Sequence, residues 1–164
     1  MFKTRPATIE DIKAITDIYN EAVLTTDATF DLKPKTEEEQ GIWLGSHDRM
    51  HPVLVAELGG VVIGWASLSE WSSRAAYAGT AEVSLYIKEE HRNKGAGRRL
   101  LEDIMLEGEK VGLHTVLSRI TTGNAVSIHL HESLGFEQIG IMKEVGQKFG
   151  RKLDVLLMQR IYPE

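Results

Sequence analysis

The chain has no cysteine among its 164 residues. Disulfides, thiolate metal sites and a cysteine nucleophile are therefore excluded outright. No stretch approaches the ~20 consecutive apolar residues of a membrane-spanning helix. The first residues, MFKTRPATIED, carry no apolar signal-like core, so a cytoplasmic location with no membrane partner is the default expectation. Positive charge is not in excess either. The formal net charge is −5, and bulk electrostatics give no support to a nucleic-acid partner. The six histidines show no metal-ligand spacing, and no metal is expected. Internal repeats, low-complexity tracts and linkers are also missing. What remains has the composition of an ordinary globular protein, 42% hydrophobic and 26% charged. Its length suits one domain spanning residues 1–164.

The most informative stretch is Glu82 to Leu101, EVSLYIKEEHRNKGAGRRLL. Val83, Leu85 and Ile87 alternate with Glu82, Ser84 and Tyr86, which predicts a strand. After a charged connector comes Arg92-Asn93-Lys94-Gly95-Ala96-Gly97, and then a helical stripe of Leu100, Leu101, Ile104, Met105 and Val111. A tight glycine-containing turn at a helix start aims backbone N–H groups at one point, and the helix dipole adds partial positive charge there. Arg92, Lys94, Arg98 and Arg99 add full charges. The pattern suits a pyrophosphate-bearing ligand, with a plain strand-to-helix turn and solvated arginines as the alternative. A Walker A loop does not fit, because Lys94 precedes its glycine and no Ser or Thr follows. A G-x-G-x-x-G fingerprint fails at its third position, which Leu100 fills. The pattern R-x-x-G-x-G does fit, through Arg92, Gly95 and Gly97.

Along the rest of the chain, Phe2–Pro6 predicts a short strand. Thr8 with Asp11 forms a capping box ahead of a helix carrying Ile12, Ile15, Ile18, Tyr19, Ala22 and Val23. Asp27–Pro34 has turn chemistry around one aromatic, Phe30. Thr36 with Glu39 opens a second helix, with Ile42, Trp43 and Leu44. Val53–Leu58 and Val61–Ser69 form a hairpin about Gly59-Gly60. Trp71–Thr80 is a loop. His114–Ile120 is a strand, Asn124 caps a short helix that stops at Gly135, and Phe136–Val145 and Leu153–Ile161 are a final antiparallel pair joined by GQKFGRK. The order β-α-α-β-β-β-α-β-α-β-β contains a single βαβ unit among hairpins. That predicts an α+β protein whose mixed, mostly antiparallel central sheet is flanked by helices.

This order, with R-x-x-G-x-G after the fourth strand, resembles the GNAT superfamily of N-acetyltransferases. Ile18-Tyr19-Asn20, Thr25–Phe30, Gly64-Trp65-Ala66, Ala76-Tyr77, Gly112-Leu113-His114, Leu130–Phe136 (LHESLGF) and Gly146–Asp154 (GQKFGRKLD) resemble its phosphinothricin N-acetyltransferase subgroup. Enzymes acetylating methionine sulfoximine and methionine sulfone belong to that subgroup too. Two departures, Lys152 where the subgroup usually has Trp and the SSRAAYAGT loop, bear on acceptor identity. The resemblance implies acetyl transfer from acetyl-CoA to the primary amine of a small amino-acid-like acceptor, by a homodimer. A non-catalytic acyl-CoA-binding regulatory domain and a peptide or protein N-acetyltransferase are the alternatives.

The resemblance also assigns roles. The coenzyme would lie against Arg92, Asn93, Lys94, Gly95, Ala96, Gly97 and Arg98. Its pantetheine arm would run along the backbone of Leu85, Tyr86 and Ile87 and meet Asn124. Glu82 is the candidate base, against the alternative of a solvated carboxylate at a strand start. His131 is the candidate acid for the departing thiolate, against the alternative of a satisfied core histidine on the stripe of Ile128 and Leu134. Phe30, Trp71, Ser72, Ser73, Arg74 and Tyr77 would form the acceptor pocket, with Arg74 offering a bidentate fork to a carboxylate. Lys148 and Arg151 are expected to reach a substrate anion or a partner subunit.

Overall fold

A computed structural model describes residues 1–164. Strand β1 (Lys3–Pro6) leads into α1 (Ile12–Thr25) and α2 (Glu37–Gly45). The hairpin β2 (Val53–Leu58) and β3 (Val61–Glu70) is followed by β4 (Thr80–Ile87), α3 (Ala96–Lys110), β5 (Thr115–Thr121), α4 (Ala125–Ser133), β6 (Glu137–Lys148) and β7 (Arg151–Ile161). The seven strands form one sheet in the order β1-β2-β3-β4-β5-β7-β6. Only β4 and β5 run parallel, joined by the crossover helix α3. The mixed, mostly antiparallel sheet expected from the sequence is what forms.

Local chemistry explains the element boundaries. At the first capping box the Thr8 N–H donates to Asp11 Oδ2 at 2.8 Å, and Arg5 grips both Asp11 oxygens at 2.8 Å. That guanidinium holds the Asp11 carboxyl below its ordinary range. At the second, Glu39 N–H donates to Thr36 Oγ1 at 3.1 Å and Thr36 N–H to Glu39 Oε1 at 3.2 Å. Gly59 and Gly60 both have positive φ, the geometry that closes a two-residue hairpin with matching twist. The β6–β7 connection is tighter than the sequence predicts. β6 runs on to Lys148 and β7 starts at Arg151, so GQKFGRK collapses to a turn at Phe149-Gly150, both left-handed.

The sheet separates two apolar layers. α3 buries Leu100, Leu101, Ile104 and Met105 against Leu54, Ile63, Leu68 and Met158. On the other face α1 sets Ile15 and Ile18 against Val55 and Trp65. Burial of this kind is worth roughly 1.5–3 kcal/mol per large apolar side chain. No helix is long and apolar enough to cross a membrane.

One irregularity of the sheet positions the site. β4 and β5 pair at Thr80↔Thr115, Ala81↔Val116 and Glu82↔Leu117, and then diverge. β4 stays paired with β3 as far as Ile87↔Gly64, and β5 with β7 as far as Thr121↔Val155. The sheet therefore opens between two intact halves, and Glu82 stands at the apex of the opening. Beyond it, one backbone edge of β4 from Val83 to Ile87 has no strand partner.

Candidate active site

Two connected cavities fill this opening. One, of about 540 Å³, lies between Glu82, Ser84 and Tyr86 of β4, Ser118 and Arg119 of β5, and the Asp27–Phe30 loop. The other, of about 630 Å³, runs from the bare edge of β4 to the start of α3 and on to α4. Asp27, Ala28, Leu85, Tyr86, Asn124 and Ser127 line both, so they form one groove through the molecule.

At its far end the groove meets the Arg92–Arg98 turn. Asn93 has φ 61° and Gly95 φ 95°, so the backbone coils left-handed before α3 begins at Ala96. Arg92 is braced by its Nε donating to Ile87 O at 3.0 Å, and Arg98 Nη1 donates to Ser133 Oγ at 3.0 Å. A Cβ built on Gly97 would meet Leu130, Ile87 and Leu85 no closer than 3.7 Å. The protein itself thus leaves room for a side chain at Gly97, while the groove it lines would lose that room. Among the expected coenzyme residues, Leu85, Tyr86, Ile87, Arg92, Asn93, Gly95, Gly97, Arg98 and Asn124 line the groove. Lys94 and Ala96 do not. Lys94 is exposed with its ammonium on Glu90 O at 3.1 Å, and Ala96 is buried in the core. A left-handed turn, a helix N-terminus, arginines and an unpaired strand edge fit a pyrophosphate followed by an amide-bearing arm. Asn124 also caps α4, its Oδ1 accepting from Ser127 N–H at 3.1 Å.

Glu82 is not a free carboxylate. Arg119 Nε donates to its Oε2 and Arg119 Nη2 to its Oε1, both at 2.6 Å. The guanidinium carbon lies 5.3 Å from the centroid of the Trp71 ring, a cation–π position. Tyr86, on the same face as Glu82, packs edge-on to Tyr19 and tilted against Trp65, and burial pushes its hydroxyl up to about 12. Tyr19 in turn hydrogen-bonds Asp31 and Thr29.

His131 enters the same cavity from α4. It is 3% exposed and stacks edge-on against Phe136. Its Nδ1 lies 2.7 Å from Ser127 O, and its Nε2 3.2 Å from Ser118 Oγ. Burial lowers its pKa below 6.5. In the neutral ring Nδ1 must carry the proton that Ser127 O accepts, and Nε2 then accepts from the Ser118 hydroxyl. The expected acid is thus presented as an acceptor. Giving up a proton from Nε2 would require the imidazolium, which burial disfavours.

The expected acceptor residues divide. Phe30 lines the cavity and is held against β6, where a Cβ on Gly146 would overlap its ring. Trp71 reaches the site only through Arg119. Ser72, Ser73, Arg74 and Tyr77 lie in the β3–β4 loop and line neither cavity. Arg74 is exposed, so its expected fork on a carboxylate is not part of this cavity. Of Lys148 and Arg151, expected to face a ligand or a partner, Lys148 turns into the fold instead, while Arg151 stays exposed beside Asp27. Buried Lys148 donates to Thr29 O at 2.8 Å, and Arg151 pairs with Asp27 at 3.6 Å. Together they pin the loop that walls the cavity. Sequence reasoning missed Arg119 and Ser118, and of this loop wall it named only Phe30. Arg119 sits in an ordinary strand pattern, and only the register of β4 on β5, which sets Glu82 opposite Leu117 and diagonal to Arg119, brings it to Glu82.

Comparison with known proteins accords with the geometry. The family model described as an acetyltransferase (GNAT) domain matches residues 5–157. The L-methionine sulfoximine/L-methionine sulfone acetyltransferase of Pseudomonas aeruginosa is 40% identical over 157 residues, covering 94% of this chain and 91% of that protein. Among solved structures, a ribosomal-protein-alanine N-acetyltransferase from Brucella melitensis superposes with a TM-score of 0.95 at 40% identity, covering 98% of this chain and 99% of that one. A phosphinothricin acetyltransferase from Sinorhizobium meliloti, in complex with acetyl-CoA, gives 0.95 at 36% identity, over 98% of this chain and 88% of that one. With its split sheet, its arginine-flanked turn and these relatives, the chain belongs to the GNAT family of acetyltransferases.

Proposed function

We propose that this protein moves an acetyl group from acetyl-CoA to the primary amine of a small amino acid of the methionine sulfone, methionine sulfoximine or phosphinothricin type. The observation that carries this reading is the position of Glu82. It lines the cavity that opens where β4 leaves β5, and that cavity joins a groove suited to the coenzyme at Leu85, Tyr86, Asn124 and Ser127.

Acetyl-CoA supplies an activated acyl thioester. The chain's residues do the rest. The Arg92–Arg98 turn and the start of α3 hold the pyrophosphate, and the free edge of Leu85, Tyr86 and Ile87 with Asn124 holds the arm. The acceptor arrives as an ammonium, since α-amines titrate near ~8. Glu82 takes a proton from it, directly or through water, and frees the nitrogen lone pair for attack. The second proton on that nitrogen neutralises the departing thiolate, so proton balance needs no further acid. His131 is then a positioning residue that fixes the Ser118 hydroxyl at the cavity wall. Phe30 and the Asp27–Phe30 loop, held by Lys148, shape the acceptor end.

A homodimer and a cytoplasmic location belong to the same reading. β6 is an edge strand whose Ile139, Ile141 and Val145 are each about half exposed, an uncovered apolar edge that a second copy would protect. The likeness to the ribosomal-protein-alanine N-acetyltransferase favours one other reading, acetylation of a peptide N-terminus. A panel of methionine sulfone, methionine sulfoximine, phosphinothricin and alanine-terminated peptides, with acetyl-CoA and detection of free thiol, decides between them. Turnover of the amino acids with peptides inert is the expected result. The reverse pattern overturns the proposal.

A further inference from the structure

Arg119 is the one lysine or arginine among the residues lining the cavity beside Glu82. Its side chain is half exposed, at 52%, whereas the Glu82 side chain is 20% exposed and sits in the wall. A guanidinium has five N–H groups. Nε and one proton of Nη2 go to Glu82, which leaves three N–H groups of Arg119 with no acceptor in the protein. Trp71 backs the guanidinium plane at 5.3 Å. The result is a planar cation, fixed on two sides, with its remaining edge turned to no protein group. Glu82 is held in the same fork, so taking a proton on either oxygen competes with a charge-assisted bond to Arg119.

We propose that Arg119 is the receptor for the carboxylate of the acceptor, and that docking of this carboxylate loosens Glu82 to receive the ammonium proton. This rests on the small-amino-acid reading above and adds its recognition element. An α-amino acid carries an ammonium and a carboxylate on one carbon. Glu82 and Arg119 carry the matching charges in the matching order, so the zwitterion lies across the pair with each of its charges facing an opposite one. The carboxylate takes the open edge of Arg119. The guanidinium then serves two anions, and its hold on Glu82 weakens. An N–H bond of the ammonium breaks, an O–H bond forms on Glu82, and the lone pair stays on nitrogen. An amine without a neighbouring carboxylate leaves Arg119 on Glu82 and gains no such release. A peptide N-terminus has an amide in that place and falls in the same class.

The test compares methionine sulfone with its carboxamide, at saturating acetyl-CoA, in the wild-type protein, Arg119→Gln and Arg119→Lys. The wild type is expected to prefer the acid by about 10²-fold in kcat/KM, the loss typical when one partner of a charged hydrogen-bonded pair is removed. Arg119→Gln should reduce this preference to a few-fold, through a higher KM for the acid, while the carboxamide reacts at least as well as with wild type. Arg119→Lys should keep part of the preference, because a point charge replaces the fork. Three results overturn the proposal: no acid preference in the wild type, an undiminished preference in Arg119→Gln or Arg119→Lys, or equal loss on both acceptors with acetyl-CoA binding intact. Should Arg119→Gln fail to fold, the wild-type and Arg119→Lys comparisons still decide. If both acceptors are inert while peptides react, the small-acceptor reading itself falls. If the acid reacts and the preference survives substitution, only the role of Arg119 falls.

Discussion

Gly95 and Gly97 share one motif, yet replacing each should fail for a different reason. Gly97 is the second residue of α3, and a Cβ there meets its nearest protein atoms at 3.7–3.8 Å, ordinary van der Waals contact. Gly97→Ala should therefore leave stability unchanged or raise it, by up to ~1 kcal/mol from helix propensity. Gly97→Val adds bulk on the groove side, where the backbone must come close to the ligand. Loss of that approach should weaken acetyl-CoA binding at least tenfold, about 1.4 kcal/mol. Gly95 differs because its φ is +95°. An L side chain there costs roughly 1–2 kcal/mol of backbone strain, so Gly95→Ala should lower the urea midpoint as well as the affinity. Urea denaturation and titration calorimetry with acetyl-CoA separate the two effects. The expected pattern is a fold-neutral binding defect at Gly97 and a combined defect at Gly95. Unaltered affinity in a folded Gly97→Val protein would refute the placement of the coenzyme in this groove.

Glu82→Gln keeps size but removes basicity, and kcat should fall ~10²–10⁴-fold at neutral pH. The deficit should shrink as pH rises and the amine arrives neutral; a deficit equal at every pH would make Glu82 a binding group instead. For His131, Gln offers an acceptor near the old Nε2 and should keep most of the activity, whereas Phe should not; a basic limb of the kcat profile present in wild type and lost in Gln would restore the acid role. Burial holds the His131 pKa below 6.5, so the native state binds fewer protons than the unfolded chain as pH falls through that value. Stability should therefore drop on acidification below about pH 6.5, and less steeply in His131→Gln. Lys148→Met removes the 2.8 Å bond to Thr29 O and should cost about 1–3 kcal/mol while raising the acceptor KM, measured by denaturation and initial rates. Light scattering at tens of micromolar, on the order of usual assay stocks, should give the mass of a dimer; a clean monomer would count against the edge-strand contact.

Periodicity and capping chemistry carried most of the architecture. The alternation in β4, the stripe of α3 and the two capping boxes are local features, and each formed where the residues predicted. The Arg92–Gly97 turn was legible for the same reason, since a left-handed bend before a helix is written in a few adjacent residues. The Glu82–Arg119 pair was not legible. It joins residues 37 positions apart, and it depends on the parallel register of β4 against β5, which no local pattern encodes. Nor could sequence tell that Lys148 turns inward to Thr29 while Arg74 stays in solvent, because a charged residue in a loop has the same local signature in both settings. His131 shows the division within one residue. Its place on an apolar stripe foretold burial, but its tautomer was set by Ser127 and Ser118, one on its own helix and one on a distant strand. Local sequence determined which elements exist and where the left-handed, arginine-flanked turn lies. Only the tertiary structure, by registering β4 against β5 and opening the sheet beyond Glu82, decided which charges face the cavity.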